Sequence, residues 1–161
     1  MIDQIINKGR FKGMYEAYAD KLLNFTEQHA VEIARQWAKA LASSPRTPAY
    51  RKVREFKLVN QGELFYKNLK RLYFEQNIYD VATAFFNKFA EDQFYENIPL
   101  DQAIYALIML RRHMWLFAEF QVLFTSALDQ YQAADGINRT VLITDYGIVA
   151  VIKKYAELSS K

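Results

Sequence analysis

Two histidines, His29 and His113, are the side chains of this sequence best suited to chemistry near neutral pH, because an imidazole titrates there and ligates metal ions. Helical spacing places His29 near the centre of one apolar stripe and His113 at the edge of another. A ring nitrogen inside an aromatic-rich bundle could ligate haem iron, and the pair could serve an enzyme. A core histidine hydrogen-bonded to a neighbour is commoner. We therefore expect no cofactor, metal or catalytic role, and keep both histidines as candidates for a ligand contact or a switch.

A third polar candidate is a carboxylate on an apolar helix stripe. Asp145 lies in line with Val141, Ile148 and Ile152 at helical spacing. A lone carboxylate in such a stripe is costly unless it is paired. The sequence favours a buried ion pair with Arg111 of a neighbouring helix. The functional alternatives are a polar anchor in a ligand pocket and a switch at a subunit contact.

The sequence lacks the motifs of the common enzyme and metal-site classes. It has no cysteine, which removes thiol catalysis, disulfides, iron–sulfur clusters and zinc knuckles. Its five glycines are scattered singly, so they form no phosphate loop or dinucleotide turn, and neither histidine lies in a Glu-x-x-His pair. We therefore predict that the protein is not an enzyme.

A basic segment, residues 46–71, carries a net charge of +6. Such a segment could attract phosphates or an acidic protein surface, although a solvated helix face is the commoner explanation. A nucleic-acid or acidic-protein binding module is therefore the alternative function, with nucleic acid not the partner we expect. The candidate residues of this basic patch are Arg46, Arg51, Lys52, Arg54 and Lys57.

Helices must position all of these residues. The 161-residue chain is 52% hydrophobic and 16% aromatic but has only five glycines and three prolines, which favours one all-α domain of five or six helices over residues 1–161. Residues 1–14 could form a separate short helix. A globin-like order without haem and a plainer up-and-down bundle both fit the loop lengths. No apolar run is long enough to span a membrane, so we expect a cytoplasmic protein.

Capping and breaking residues set the predicted helix ends. Two prolines end the first helix near Ser43, Asn77 caps the third helix, and Pro99 lies in the first turn of the fourth. Asn60-Gln61-Gly62 could kink or divide the second helix. An aromatic cluster lies between residues 73 and 95. Core packing is the favoured explanation for this cluster, and an apolar ligand pocket is the alternative.

The fourth helix is predicted to be long, reaching Tyr131 before Asp135-Gly136 breaks the chain. Apolar residues surround most of its girth, so it is either central to the core or covered by a partner subunit. The 4-3 spacing of one row predicts a seam between two copies of the chain. The seam residues are Leu107, Leu110, Met114, Phe117 and Phe124.

Several positions together resemble the RsbRD-type N-terminal domain, a helical sensory module of RsbT co-antagonists and of some sensor histidine kinases. The resemblance rests on Ile33-x-x-x-Trp37-x-x-x-Leu41, Thr47-x-x-Tyr50, Ile98-Pro99-Leu100, Ala103-x-x-x-Leu107-x-x-Leu110-Arg111-Arg112 and Ile152-x-x-x-Tyr155. It implies a cytoplasmic, non-catalytic bacterial stress-signalling domain, globin-like without haem, that dimerises through its long helices and passes a signal from its last helix to a signalling partner. Together with the seam and Asp145, it leads to the hypothesis of a regulatory homodimer in which an input alters the packing of the fourth and fifth helices. The resemblance implies no particular ligand.

Overall fold

The computed structural model describes residues 22–120 and 126–161, and within those residues the fold is a helical bundle without β-strands. The predicted all-α class is confirmed. The proposed helix at residues 1–14 and the seam residue Phe124 lie outside the described residues. After a helical segment at 22–28, the helices are α1 (Ala30–Ser43), a 3-10 helix (Pro48–Lys52), α2 (Glu55–Phe74), α3 (Ile78–Tyr95), α4 (Leu100–Phe120) and α5 (Ala127–Ser159).

The first helix ends where the prolines require. Helix α1 stops at Ser43, and Ser44 adopts an extended conformation before Pro45. At the other end of α1, His29 interrupts the regular helix, although its backbone N–H still bonds the Phe25 carbonyl oxygen at 3.0 Å. The Thr47 hydroxyl donates to the Leu41 carbonyl oxygen at 2.7 Å and ties the loop back to α1. This hydrogen bond satisfies a carbonyl group that the end of the helix leaves unpaired.

Helix α2 runs without a break through Gly62, where the sequence allowed a kink. The glycine is buried against α1, and a Cβ atom there would lie 2.9 Å from the Ala34 Cβ and 3.0 Å from Trp37. The missing side chain therefore lets two helices approach closely. Helix α3 begins as predicted, because the Asn77 side chain accepts a hydrogen bond from the Asp80 backbone N–H.

The predicted extent of the fourth helix is wrong. Helix α4 is described over the 21 residues Leu100–Phe120, and a bend at Ser126 precedes α5, so no single helix continues to Tyr131. Helix α5 is the longest helix described, with 33 residues. Asp135-Gly136 does not break α5. Gly136 is buried, and a Cβ atom on it would lie 3.3 Å from Leu22, so this glycine also marks a close contact between helical segments. The helix propensity that a glycine loses, about 1 kcal/mol, is offset there by packing.

The described residues share one hydrophobic core. The most extensive helix contacts join α1 to α2 and α3 to α5, while α4 contacts both α1 and α5. Helix α4 therefore lies between the two pairs. Within the described residues, no helix combines the length and the apolar character that crossing a membrane requires.

Candidate functional site

Four of the five predicted seam residues lie in the core of the chain itself. Leu107, Leu110, Met114 and Phe117 are only 0 to 6% exposed. Helices α1 and α2 cover this inner face of α4: the Trp37 indole Nε1 donates to the Ala106 carbonyl oxygen at 2.9 Å, and the Tyr66 hydroxyl donates to the Leu110 carbonyl oxygen at 2.7 Å. Of the two explanations for a helix that is apolar around most of its girth, a central position in the core is the one observed. The four residues are therefore not available to a second copy.

An exposed apolar surface occurs instead on α5, and we call it the outer face of α5. Four of its large side chains, Ile137, Leu142, Val149 and Ile152, are 37 to 43% exposed. Exposed large apolar side chains that share one helix face mark a contact surface more often than isolated ones do. The outer face also includes the half-buried Val141 and Ile148 and the exposed Asp145.

The sequence analysis favoured burial of the stripe around Asp145, with a ligand pocket and a subunit contact as alternatives, and a signal on the opposite side of α5 was overlooked. The buried side of α5 carries small residues, among them Gly136, Thr140, Gly147 and Ala150. A Cβ atom at Gly147 would lie 2.6 Å from the Phe86 ring, so the helix backbone approaches α3 closely. Small residues four or seven positions apart indicate this kind of close approach.

Asp145 and Arg111 form the predicted ion pair, but the carboxylate is exposed instead of buried. The Arg111 Nη1 lies 3.4 Å from the Asp145 Oδ1, and the two side chains are 23% and 57% exposed. The same Nη1 donates to the Thr144 hydroxyl at 2.9 Å. Arg111 thus reaches from α4 to the edge of the outer face of α5 and connects the two helices through polar contacts.

His29 lies at the break before α1 and takes part in an aromatic contact. Its ring centroid is 4.5 Å from that of Phe25 and 5.4 Å from that of Phe117. Its Nδ1 is 3.0 Å from the Glu32 Oε2. The two polar residues therefore pair with each other near the surface, and the imidazole joins segment 22–28 to α4.

His113 is half-buried on α4, and its Nδ1 donates to the Met109 carbonyl oxygen at 2.8 Å. Burial is the main cause that lowers the pKa of this imidazole, and the neighbouring Arg112 charge lowers it further against the opposing effect of the Met109 bond. The side chain behaves as a hydrogen-bonded residue within the bundle. Among the described residues, no group of three His, Asp or Glu side chains is arranged to hold a metal ion.

The basic patch is partly engaged by its surroundings. Arg46 donates to the Tyr105 hydroxyl at 3.2 Å, and Lys57 forms an ion pair with Glu96. The remaining three candidates, Arg51, Lys52 and Arg54, are exposed around the 3-10 helix. An acidic or nucleic-acid partner at this patch stays a prediction.

Comparison with protein families, with curated proteins and with solved structures finds no match to this chain.

Proposed function

We propose that this chain is a non-catalytic regulatory module of a bacterial signalling system, and that it acts in the cytoplasm as a homodimer. The outer face of α5 is the proposed contact between copies. An input changes the packing of α4 against α5, the last two helices, and a signalling partner protein senses the change. The observation that carries the proposal is the exposed apolar surface of the outer face of α5.

The spacing of the outer face suits a symmetric pair of helices. Ile137 and Ile152 lie at its two ends, and Asp145 lies near their midpoint. If two copies pack antiparallel about a twofold axis near residue 145, Ile137 of each meets Ile152 of the other, and Val141 meets Ile148. A twofold contact of this kind uses one surface twice, and all four of these side chains then face apolar partners. At 1.5 Å per residue the stretch from Ile137 to Ile152 is about 22 Å long.

Charge near the axis is balanced within each copy. Two Asp145 carboxylates would repel each other if they met alone, but each is paired with an Arg111 guanidinium at 3.4 Å. The same pair is also the polar connection from α4 to α5, through Arg111 and Thr144. A change in the contact between α4 and α5 therefore reaches the proposed dimer surface directly.

Two further considerations support the signalling and cytoplasmic parts of the proposal. The resemblance to RsbRD-type domains implies a sensory role, and the absence of cysteine from the sequence suits a reducing compartment. Several residues on which the resemblance rests form hydrogen bonds inside the bundle. The side chains of Trp37, Thr47 and Tyr155 each donate to a backbone carbonyl oxygen.

The dimer is tested by the mass of the protein in solution. Sedimentation velocity and native mass spectrometry at micromolar concentration should give a dimer for the natural sequence and a monomer for Ile152→Lys, because two lysines at an apolar contact are desolvated without partners. Phe56→Lys is the matched control, since Phe56 is similarly apolar and 57% exposed but lies on α2. A monomeric natural protein, or the same association state for both variants, would contradict the proposal.

The antiparallel orientation has its own test. The natural chain has no cysteine, so Asp145→Cys introduces a single thiol near the proposed axis. Oxidation should join two copies of Asp145→Cys rapidly, because a disulfide requires Cα atoms within about 7 Å. Phe56→Cys should remain unlinked under the same conditions. Equal rates of disulfide formation for the two variants would rule out the axis.

A further inference from the structure

A cleft between α2 and α3 lies apart from the outer face of α5. Its volume is about 90 Å³, and its apolar lining comes from Leu64, Phe65, Phe85, Phe86 and Phe89, together with Leu110 of α4. Leu64 at the rim is 53% exposed, so the cleft opens to solvent. A second, more polar cleft, of about 180 Å³, shares Phe85 with the first and is also lined by Asn68 and Arg71. An enclosed apolar cavity of about 150 Å³ accommodates a benzene ring. The first cleft is smaller but opens to solvent at Leu64, so a small molecule would fill it with part of its surface outside.

A chain of buried hydrogen bonds ends at the wall of this cleft. The Tyr50 hydroxyl donates to the Gln93 Oε1 at 2.8 Å, and the Gln93 Nε2 donates to the Gln61 Oε1 at 2.9 Å. Tyr50 and Gln93 are buried, and burial raises the pKa of the Tyr50 phenol, which keeps it protonated as the donor. The direction of these hydrogen bonds means that the Gln61 Oε1 accepts the bond from Gln93. Gln61 also lines the cleft, and the N–H groups of its Nε2 remain as hydrogen-bond donors.

The charges at the cleft are already paired. Lys88 and Asp92 line its rim, and the Lys88 Nζ lies 2.7 Å from the Asp92 Oδ1. The pair presents no net charge to a molecule in the cleft. An ionic ligand would have to leave water without gaining a new partner, which is unfavourable.

We infer that the cleft between α2 and α3 binds a small neutral molecule, with an apolar ring or short chain packed among Phe85, Phe86 and Phe89 and one acceptor oxygen bonded to the Gln61 amide. The class includes aromatic ketones, esters and ethers. An apolar ring would remain in contact with the aromatic lining, and its oxygen would accept the hydrogen bond that Gln61 donates.

The cleft also contacts α5 through one side chain. The Phe86 ring lines the cleft on one side, and on the other it occupies the space that a side chain at Gly147 would fill, 2.6 Å from a Cβ atom built there. A molecule that shifts Phe86 therefore shifts α5 as well. Ligand binding would supply the input of the module; this coupling rests on the proposed function, whereas the binding site itself does not.

Binding is tested with acetophenone, which has one ring, one carbonyl acceptor and no charge. Titration followed by NMR of the isotope-labelled full chain should give saturable shifts of the Gln61 side-chain amide and of the Phe85 and Phe89 rings. Ethylbenzene lacks the acceptor and should bind about three to ten times more weakly, the ratio that one net hydrogen bond gives. Benzoate should also bind more weakly. Unsaturable shifts, shifts away from the cleft, or tighter binding of benzoate would overturn the inference.

Two variants isolate the parts of the site. Gln61→Glu keeps an acceptor for Gln93 but has no N–H donor, so acetophenone should lose its advantage over ethylbenzene. Leu64→Trp should fill the cleft and weaken both compounds at least tenfold, while Phe56→Trp, an exposed substitution on the same helix, should bind both as the natural protein does. An unchanged preference in Gln61→Glu, or unchanged binding in Leu64→Trp, contradicts the assignment.

The experiments distinguish failure of the ligand site from failure of the proposed dimer. Acetophenone should shift the Gly147 backbone amide in the natural protein, and sedimentation with and without acetophenone reports the association state. A dimer that binds no acetophenone overturns the ligand site alone. A monomer that binds acetophenone at Gln61 overturns the proposed dimer and leaves the ligand site supported.

Discussion

The inner face of α4 and the outer face of α5 are both apolar stripes at helical spacing, yet one is buried and the other faces solvent. Leu107, Leu110 and Met114 on α4 are at most 2% exposed, whereas Ile137 and Ile152 on α5 are about 40% exposed. The difference lies in what each helix carries on its other side. Helix α5 has glycine, threonine and alanine there, so its backbone approaches α3 closely. A helix with two usable faces thus buries the one that allows the closer packing, even when the other has larger apolar side chains.

The largest expected effect tests this comparison by placing the same charge on each face. Leu110→Asp buries a carboxylate where Leu110 is 2% exposed, and the loss of packing and the desolvated polar group should lower the free energy of unfolding by at least about 4 kcal/mol. Ile152→Asp should lower it by less than about 1 kcal/mol. Urea unfolding followed by circular dichroism measures both, at a protein concentration low enough that association makes no contribution. Equal losses would show that the two faces are not distinct.

The second effect tests the close approach on the buried side of α5. Gly147→Ala places a Cβ atom 2.6 Å from the Phe86 ring, and the strain should exceed the gain in helix propensity, for a net loss of about 1 to 3 kcal/mol. Gly136→Ala is the matched control, because its Cβ atom meets only the end of the Leu22 side chain, at 3.3 Å. The stability that Gly136→Ala loses should be smaller than the loss in Gly147→Ala. Thermal unfolding measures the stability of both variants. The single variant Phe86→Leu and the double variant Gly147→Ala, Phe86→Leu complete the cycle that gives the coupling between positions 147 and 86.

The sequence predicted the helices well and their faces less well. Capping and breaking residues identified the end of α1 at Ser43 and the start of α3 after Asn77, because these signals act over a few residues. The glycines misled the prediction. Gly62 and Gly136 were expected to kink or end helices, whereas both are buried at contacts between helical segments. Local propensity does not reveal which neighbour approaches a glycine, because that depends on the tertiary arrangement.

The candidate site was predicted in part. The pairing of Asp145 with Arg111 followed from the cost of an isolated carboxylate, but its exposure did not, because the ion pair was expected to be buried. The open alternative that the aromatic cluster lines an apolar pocket agrees with Phe85, Phe86 and Phe89 at the cleft. The orientation of Gln61 depends on its hydrogen bond with Gln93, which is 32 residues away, and on the bond between Gln93 and Tyr50, which are 43 residues apart. Sequence spacing carries no such information.

A third, smaller effect concerns the polar residue of the outer face. Asp145→Asn should change the free energy of unfolding by less than about 1 kcal/mol, because exposed ion pairs contribute little. Arg111→Met is the comparison: Arg111 is less exposed and also bonds Thr144, so its loss should cost more. Urea unfolding of the two variants measures the difference. A loss above about 2 kcal/mol for Asp145→Asn would show that the carboxylate is buried, as the inner face of α4 is.

The smallest effect is a pH dependence at His113, which lies half-buried between the two extremes. Burial lowers the pKa of this imidazole in the folded chain, so below its ordinary pKa of about 6.5 the unfolded chain binds more protons than the folded one. Stability from this group is therefore complete above about pH 7 and is lost as the pH falls toward the lowered pKa.

His113→Asn is the variant that isolates this contribution. The asparagine amide can keep the hydrogen bond to the Met109 carbonyl oxygen but does not titrate. Its lower helix propensity changes stability equally at every pH, so the informative quantity is the loss of stability between pH 7.5 and pH 5.5. That loss should be smaller in His113→Asn than in the natural chain, as measured by urea unfolding at both pH values. Identical losses would mean that His113 is solvated as freely as the outer face of α5, and that the boundary of the buried region lies further inside α4.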